Sequence, residues 1–513
     1  MALEDSPIQF ILTRHEQGAA YMAYGHAKST GRTGVYSVVP GPGVLNTGAA
    51  LATAWGASTP VLCLTGQIPT QYLGKGRGHL HELPDQLKTL RTIVKWADRI
   101  DSPAEAPSLV NEAFAQMNSG RPGPASLEMC WDTMASSGPV EFGEIEALPD
   151  PAQPDPDEIA AAVALLKDAK RILIITGGGA QNAVTEVNNL AEVLGAGVTS
   201  MRSGRGIVPE DSDFGMASAA ALDIWPETEV LIGIGSRLEM PYMRWASGPD
   251  RIEKPDGPPY LIRIDIDPDE LARLIPHAGI LADTATGTAA LADAITKVRT
   301  PEKDAREYIA GAKARAAKAI QVIQPQMSYL EVIRDVLPRD GFFVEELCQA
   351  GFASYYGFPV YEPRTFVTAG FQGTLGYGFP TALGVKAANP TKAVISITGD
   401  GGFMFAMPEL ATAAQYNLGV VIVLFNNNAF GNVRRDQINS YEGRTIGVDL
   451  LNPDFVALAE SFGISATRVT SPGDLRPALE KAIASNAPAL IEIPVDPDKE
   501  ASPWPFLIPG AYT

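Results

Sequence analysis

Two short polar stretches in the last third of the chain carry residue types able to hold a cation and a phosphate together. An apolar run, Ala393–Thr398, leads into Gly399-Asp400-Gly401-Gly402-Phe403. A second, Val420–Phe425, leads into Asn426-Asn427-Asn428-Ala429-Phe430-Gly431. Asp400 offers a hard anionic oxygen and Asn427 a neutral carbonyl oxygen. Magnesium takes a few such oxygens plus substrate phosphates, in an octahedron at about 2.1 Å. Gly401 and Gly402 let backbone N–H groups approach phosphate oxygens, and Gly402 opens a helix whose N-terminus favours anions. Each stretch alone reads more often as a plain turn. As a pair, each after a buried strand, they place both loops at the carboxyl ends of parallel strands, where open α/β sheets bind ligands.

These strands belong to a rhythm that runs the length of the chain. Val35–Val39, Val61–Thr65, Ile172–Thr176, Val230–Ile234, Leu261–Ile266 and Ala489–Ile493 are further continuous apolar runs, alternating with Ala-rich helical stretches. Strands covered on both faces read this way, so the pattern predicts parallel-sheet α/β architecture. Gly138 to Asp157, rich in Pro, Asp and Glu, reads as an exposed linker. Thr300 to Gln326, a charged Ala-rich helix ending at Pro325, reads as a second connector. The cuts leave three doubly wound parallel-sheet α/β domains at 1–140, 155–300 and 325–513.

The 513 residues are 45% hydrophobic and 19% charged, with a net charge of −19. Ordinary globular composition with so acidic a balance argues against nucleic-acid and membrane-surface partners. No apolar run reaches the roughly 18 residues of a membrane span. The start, Met1-Ala2-Leu3-Glu4-Asp5, is acidic and does not read as a signal peptide. Cys63, Cys130 and Cys348 are too scattered for a zinc cluster or a disulfide framework. A cytoplasmic enzyme is the expectation.

A further carboxylate stands near the other end of the chain. Thr13-Arg14-His15-Glu16-Gln17-Gly18-Ala19-Ala20 reads as a strand-to-helix junction, with Glu16 in the first helical turn. The ordinary role of such a residue is to favour the helix dipole.

The spacing from Gly399-Asp400-Gly401 to Asn426-Asn427 resembles the diphosphate-and-metal motif of thiamine diphosphate enzymes. The text GDGGFMFAMPELATAAQYNLGVVIVLFNNNAFG is similar to the acetolactate synthase branch, also called the pyruvate oxidase or benzoylformate decarboxylase type. That resemblance implies Mg²⁺ ligation by Asp400, Asn427 and the backbone carbonyl of Ala429, with Gly401, Gly402 and Gly431 near the diphosphate. RHEQGAA is similar to the family's catalytic glutamate segment, implying that Glu16 hydrogen-bonds N1′ of the aminopyrimidine so that the 4′-imino group can take the C2 proton. Gly370–Gly378 is similar to the family's GTMGFG loop. By that likeness Leu375 is the wedge under the two rings, its N–H meets N3′, and the Gly373 carbonyl accepts from the 4′-amino group. Glu346–Ala350 takes the place of a second diphosphate loop, with Gln349 and Ala350 at the cofactor. The three domains are then pyrimidine-binding, middle and diphosphate-binding. A homodimer or homotetramer with its active site at the subunit interface is implied.

The chain also departs from the family. Several dozen residues usually precede the catalytic glutamate segment, forming a strand and a cavity-lining loop. In the middle block, Gly177-Gly178-Gly179-Ala180 after a strand is a weak nucleotide signal without the full G-x-G-x-x-G. Arg237-Leu238-Glu239-Met240-Pro241 replaces the synthases' RFDDR, which weighs against FAD. On the substrate side, Thr65–Thr70 is similar to TGQVPT and places Gln67 near the active centre. Arg77–Glu82 differs from TDAFQE and brings His79 and His81. A surface pair is the ordinary reading of two such histidines; by resemblance they would move protons or orient a 2-keto group.

The expected activity is decarboxylation and carboligation of a 2-keto acid. Plain decarboxylation, and C–C cleavage of a diketone or hydroxyacyl substrate by a lyase or hydrolase, stay open. A nicotinamide or flavin oxidoreductase, or a silent nucleotide-binding protein, would leave Glu16 and both loops without a purpose.

Overall fold

Continuous apolar runs become strands because a parallel sheet buries both of its faces. In the computed structural model, which describes residues 3–144, 148–238 and 257–507, each run named above forms one. The first sheet holds β1 (Gly34–Val38), β2 (Val61–Gln67), β3 (Trp96–Ile100) and β4 (Ala125–Cys130), all parallel, in the order β1-β2-β4-β3. Leu62, Ile100, Ala113, Met117, Ala125 and Leu127 form its core on one face. The second holds β5 (Ile172–Thr176), β6 (Gly197–Thr199), β7 (Val230–Ile234), β8 (Tyr260–Asp265) and β9 (Ala278–Leu281), in the order β6-β5-β7-β8-β9. Every residue of β5 and β7 is buried.

A third array includes β10 (Phe342–Val344), paired in parallel with β11 (Phe366–Val367). It also includes β12 (Val394–Gly399), β13 (Val420–Asn426), β14 (Ser465–Arg468) and β15 (Ala489–Pro494), parallel in the order β12-β13-β15-β14. The fold is therefore three-part parallel α/β. β3 and β4 escape a search for apolar runs because Asp98, Arg99 and Glu128 interrupt them. β14 escapes it because Ser465-Ala466-Thr467-Arg468 is an exposed edge.

The chain divides into two compact units. One comprises Met1–Leu148, Ala369–Phe430 and Gly443–Pro494; the other comprises Pro149–Thr368, Gly431–Glu442 and Val495–Thr513. In the first, the helix Glu16–Thr30 packs on the helix Gly378–Ala388 at backbone contact. A Cβ on Gly25 would stand 2.1 Å from the Thr381 carbonyl oxygen, and one on Gly384 would stand 2.0 Å from that of Met22. Tyr21 and Tyr377, both fully buried, close the seam with ring centroids 5.9 Å apart. Gly25→Ala or Gly384→Ala should cost about 1–3 kcal/mol by forcing two backbones apart. Gly48→Ala, whose Cβ would meet open space, should be neutral. Denaturation midpoints of the three variants check this.

The described part of the expected linker after Gly138 has no regular structure and is exposed, with Phe142 87% accessible, until a helix starts at Pro156. The expected connector at Thr300–Gln326 requires correction. Its helix, Ala305–Ala319, passes into a 3-10 turn at Ile320–Val322 before Pro325 and is clamped to the middle sheet's surroundings. Arg306 pairs with Asp213 at 2.8 Å, Arg315 with Asp223 at 2.7 Å, and the Lys313 ammonium donates to the carbonyls of Ser212 and Gly215. Its charges, which look solvated in sequence, are its docking points. Among the described residues no helix is long and apolar enough to cross a membrane.

Candidate active site

β12 and β13 pair with Gly399 opposite Phe425, so the loops that follow them emerge side by side. Asp400 opens the helix Asp400–Ala406 and is 2% exposed. Burial pushes its carboxyl above the usual carboxylate range. The groups that oppose the shift are all neutral: the Asn452 amide and the backbone N–H groups of Gly401, Asn428 and Asp400 itself. A buried carboxylate whose neighbours are neutral dipoles can hold a cation. Asn427 Oδ1 already accepts from the Ala429 N–H at 3.1 Å, a turn that points the loop back on itself, and Asn428 takes the left-handed conformation at φ 52°. Asn426 is anchored to Glu492 at 2.8 Å. Over this loop runs the segment before Asn452: the Phe430 N–H donates to the Val448 carbonyl and the Leu450 N–H to that of Asn428, each at 2.8 Å.

Gly401 and Gly402 are buried, and a Cβ on Gly401 would stand 2.6 Å from the Phe430 ring. Gly401 is thus needed for packing whatever else it meets. Gly431 starts the helix Gly431–Ser440 in the other compact unit. Gln349 and Ala350 lie in that unit too, buried at the start of the helix Gln349–Gly357. Gln349 Oε1 accepts from Arg435 at 3.1 Å. The remaining sequence-predicted site residues fall in the first unit.

Glu16 is the first residue of its helix, with no strand before it among the described residues; His15 caps the helix by accepting from the Gln17 N–H at 3.1 Å. The Glu16 carboxylate is half-buried and accepts from Asn46 at 3.0 Å. Its backbone is fixed by Glu409, 1% exposed, which accepts from the N–H groups of Arg14 and His15 and from the Thr412 hydroxyl. Glu409 Oε1 would lie 2.5 Å from a Cβ on Gly18, so the glycine two positions after Glu16 makes room for it. In the loop at Gly370–Gly378, Gly373 and Gly376 have φ of 58° and 79°, and Leu375 is half-buried. Gly376 also lies against Phe405, whose Cβ would be 2.4 Å from an added one.

At the end of β2, Gln67 turns inward. Its Nε2 donates to Glu128 at 3.2 Å, and Glu128, fully buried, also takes Gln86 at 2.9 Å and Arg99 at 2.7 Å. His79 and His81 stand in the loop beyond it, both edge-on to Trp131 at 6.0 and 6.2 Å, with His79 also against Tyr72 at 4.8 Å. His81 holds φ 69°, and its Nδ1 is shielded with no hydrogen-bond partner. Strain of this kind in a non-glycine residue, beside an unanswered polar atom, is typical of functional loops. Glu82 holds the loop by accepting from the N–H of His79 at 2.8 Å. The N–H groups of Gly76, Arg77 and Gly78 join it and keep its carboxyl below the usual range.

Asn46, Glu409, Asn452 and Glu128 were not singled out by motif. The one signal for Glu409 is an acid inside an otherwise apolar helical run.

In the middle sheet the Gly-rich turn is closed. The Gly177 N–H donates to Ile234, that of Gly179 to Gly235 and that of Ala180 to Gly177, at 2.9–3.1 Å. A Cβ on Gly177 would sit 2.1 Å from the Gly235 carbonyl. These donors are not free for a phosphate. Of the stretch set against RFDDR, Glu239, Met240 and Pro241 lie outside the described residues.

One sheet end of this α/β chain thus carries a buried acid beside an asparagine loop. Comparison with known proteins makes the cofactor specific. Residues 1–89, 159–291 and 348–493 match the N-terminal TPP-binding, central and C-terminal TPP-binding domains of thiamine pyrophosphate enzymes, and the chain belongs to that family. A probable acetolactate synthase large subunit of Methanocaldococcus jannaschii is 34% identical, covering 99% of this chain and 88% of its own. The acetolactate synthase large subunit of Lactococcus lactis is 31% identical over 97% and 87%. A probable 2-ketoarginine decarboxylase of Pseudomonas aeruginosa is 31% identical over 96% and 88%.

Proposed function

We propose that the protein is a thiamine diphosphate- and Mg²⁺-dependent carboligase of acetolactate synthase type, which decarboxylates a 2-keto acid and joins the remaining acyl unit to a second carbonyl compound. The observation that carries the metal is Asp400, buried among neutral donors beside Asn427. The full-length likeness to acetolactate synthase subunits carries the reaction. Bound thiamine diphosphate supplies the nucleophilic carbon and the electron sink that decarboxylation needs.

The chain's own residues do the rest. Asp400, Asn427 Oδ1 and the Ala429 carbonyl would hold the metal, and Gly401, Gly402 and Gly431, with Gln349 and Ala350 at the second loop, would meet the diphosphate. Glu16 shares a proton with N1′ of the pyrimidine, and Asn46 holds the carboxylate in place. Leu375 would support the two rings from below, and the Gly373 carbonyl would accept from the 4′-amino group. His79 and His81, packed on Trp131, would orient or protonate the keto substrate, and Gln67, held by Glu128, would stand near them. The site is completed between copies of the chain, in a cytoplasmic homodimer or homotetramer. The three domains span 1–140, 155–300 and 325–513. The closed turn at Gly177–Ala180 weighs against FAD without excluding it.

A decarboxylase that releases aldehyde is the second reading. It is favoured by the likeness to a probable 2-ketoarginine decarboxylase. The protein incubated with thiamine diphosphate, Mg²⁺, pyruvate and a set of carbonyl acceptors between pH 5.5 and 8 should give mainly acetolactate or acyloin, with the aldehyde share rising as pH falls. CO₂ with aldehyde alone at every pH would make it the decarboxylase. Turnover of a diketone with none of a 2-keto acid would make it a C–C cleaving relative.

A further inference from the structure

Asn452 sits where the two ligand loops meet. Its Nδ2 lies 2.6 Å from Asp400 Oδ2, 3.1 Å from Asn426 Oδ1 and 3.2 Å from Asn428 Oδ1. Three oxygens converge on one NH₂ group. The reverse amide orientation would set oxygen against oxygen three times, so the donor faces inward. The side chain is held from both sides along the chain. Leu450, two residues before it, is tied to Asn428 and packs toward Gly401. Asp454, two residues after it, caps the helix Phe455–Ser461 by accepting from Val456 and Ala457.

We propose that Asn452 is a positioning residue that sets the size of the cation the site accepts. The inference rests on the reading of Asp400 and Asn427 as metal ligands. The hydrogen bond from Asn452 draws Oδ2 away from the metal, which favours binding of the carboxylate through its other oxygen alone. By touching Asn426 and Asn428 it fixes the spacing between the Asp400 loop and the loop that carries Asn427. Magnesium demands a tight octahedron at about 2.0–2.1 Å, whereas calcium takes six to eight oxygens at about 2.3–2.6 Å and readily accepts a carboxylate through both of its oxygens. A carboxylate with one oxygen already tied, on a loop that cannot retreat, suits the smaller ion. An amide does this without adding charge. A carboxylate at position 452 would repel Oδ2 and offer calcium an additional ligand.

The test uses the full-length protein with thiamine diphosphate. Mn²⁺ binding is followed by electron paramagnetic resonance, and Mg²⁺ and Ca²⁺ are measured by displacement. The unchanged protein should bind Mn²⁺ and prefer Mg²⁺ to Ca²⁺. Asn452→Ala should weaken Mg²⁺ by about 10–100-fold, the usual cost of losing an outer-shell partner. It should weaken Ca²⁺ much less, so the preference ratio falls at least tenfold. Asn452→Asp, which keeps the volume, should move the ratio the same way and serves if the alanine variant does not fold. A folded variant with the ratio unchanged, or with both ions weakened equally, overturns the proposal and leaves the metal site standing. No Mn²⁺ binding by the unchanged protein overturns both.

Discussion

Glu16→Gln should slow hydrogen–deuterium exchange at C2 of bound thiamine diphosphate by roughly 10²–10⁴-fold, the usual worth of a positioned acid–base group, while diphosphate binding persists. The substitution keeps the side chain's length and its contact with Asn46. The helix start is held independently, by Glu409 on the N–H groups of Arg14 and His15. What is lost is the proton that a carboxyl can share with N1′, so the defect should fall on activation alone. Nuclear magnetic resonance of quenched samples reads the exchange. An unchanged rate would remove Glu16 from catalysis, and a loss of cofactor instead would make it a binding residue.

The second large effect belongs to Asp400. Removing one member of a buried charge pair costs about 3–5 kcal/mol, so Asp400→Ala should weaken thiamine diphosphate and Mg²⁺ together by about 10²–10⁴-fold. Asp400→Asn separates this from damage to the fold. In the metal-free protein, burial holds the carboxyl above its ordinary value. Ionisation therefore opposes folding, and stability falls as pH rises from the ordinary carboxylate value to the raised one. The neutral amide escapes that penalty, so the metal-free variant should melt at or above the unchanged protein at neutral pH while binding no metal. Calorimetry with and without Mg²⁺ and cofactor distinguishes the cases. Wild-type cofactor affinity without metal would refute the assignment.

What the sequence makes legible is local. Asp400 and Asn427 each follow an apolar run closely, so strand, turn and polar residue are read in one window, and the register of β12 on β13 does the rest. The residues that support them come from far away. Glu409 reaches His15 across 394 positions, and Asn452 reaches Asp400 across 52. No spacing rule covers such distances. Polar strand residues mislead in the same way. Glu128 reads as a surface acid, yet it is fully buried under Gln67, Gln86 and Arg99, so both β4 and the inward turn of Gln67 are invisible until the sheet is assembled. The charges of Ala305–Ala319 look solvated because their acidic partners, Asp213 and Asp223, lie some 90 positions upstream.

The unit that contains Glu16 and Asp400 is assembled from segments on both sides of Pro149–Thr368, and this matters while the chain is being made. The helix Glu16–Thr30 emerges from the ribosome early, with Tyr21, Tyr24 and the bare backbone at Gly25 still exposed. Glu409, which fixes the start of this helix, is translated 394 positions after His15. At about 5–20 residues per second that delay is roughly 20–80 s. Through that interval the helix can pack on β1 and β2, but its face at Gly25 lacks the helix Gly378–Ala388. It is therefore in its half-finished state, rather than its folded one, that this protein most depends on chaperones, and slowing translation ahead of Gly378 should lower its soluble yield.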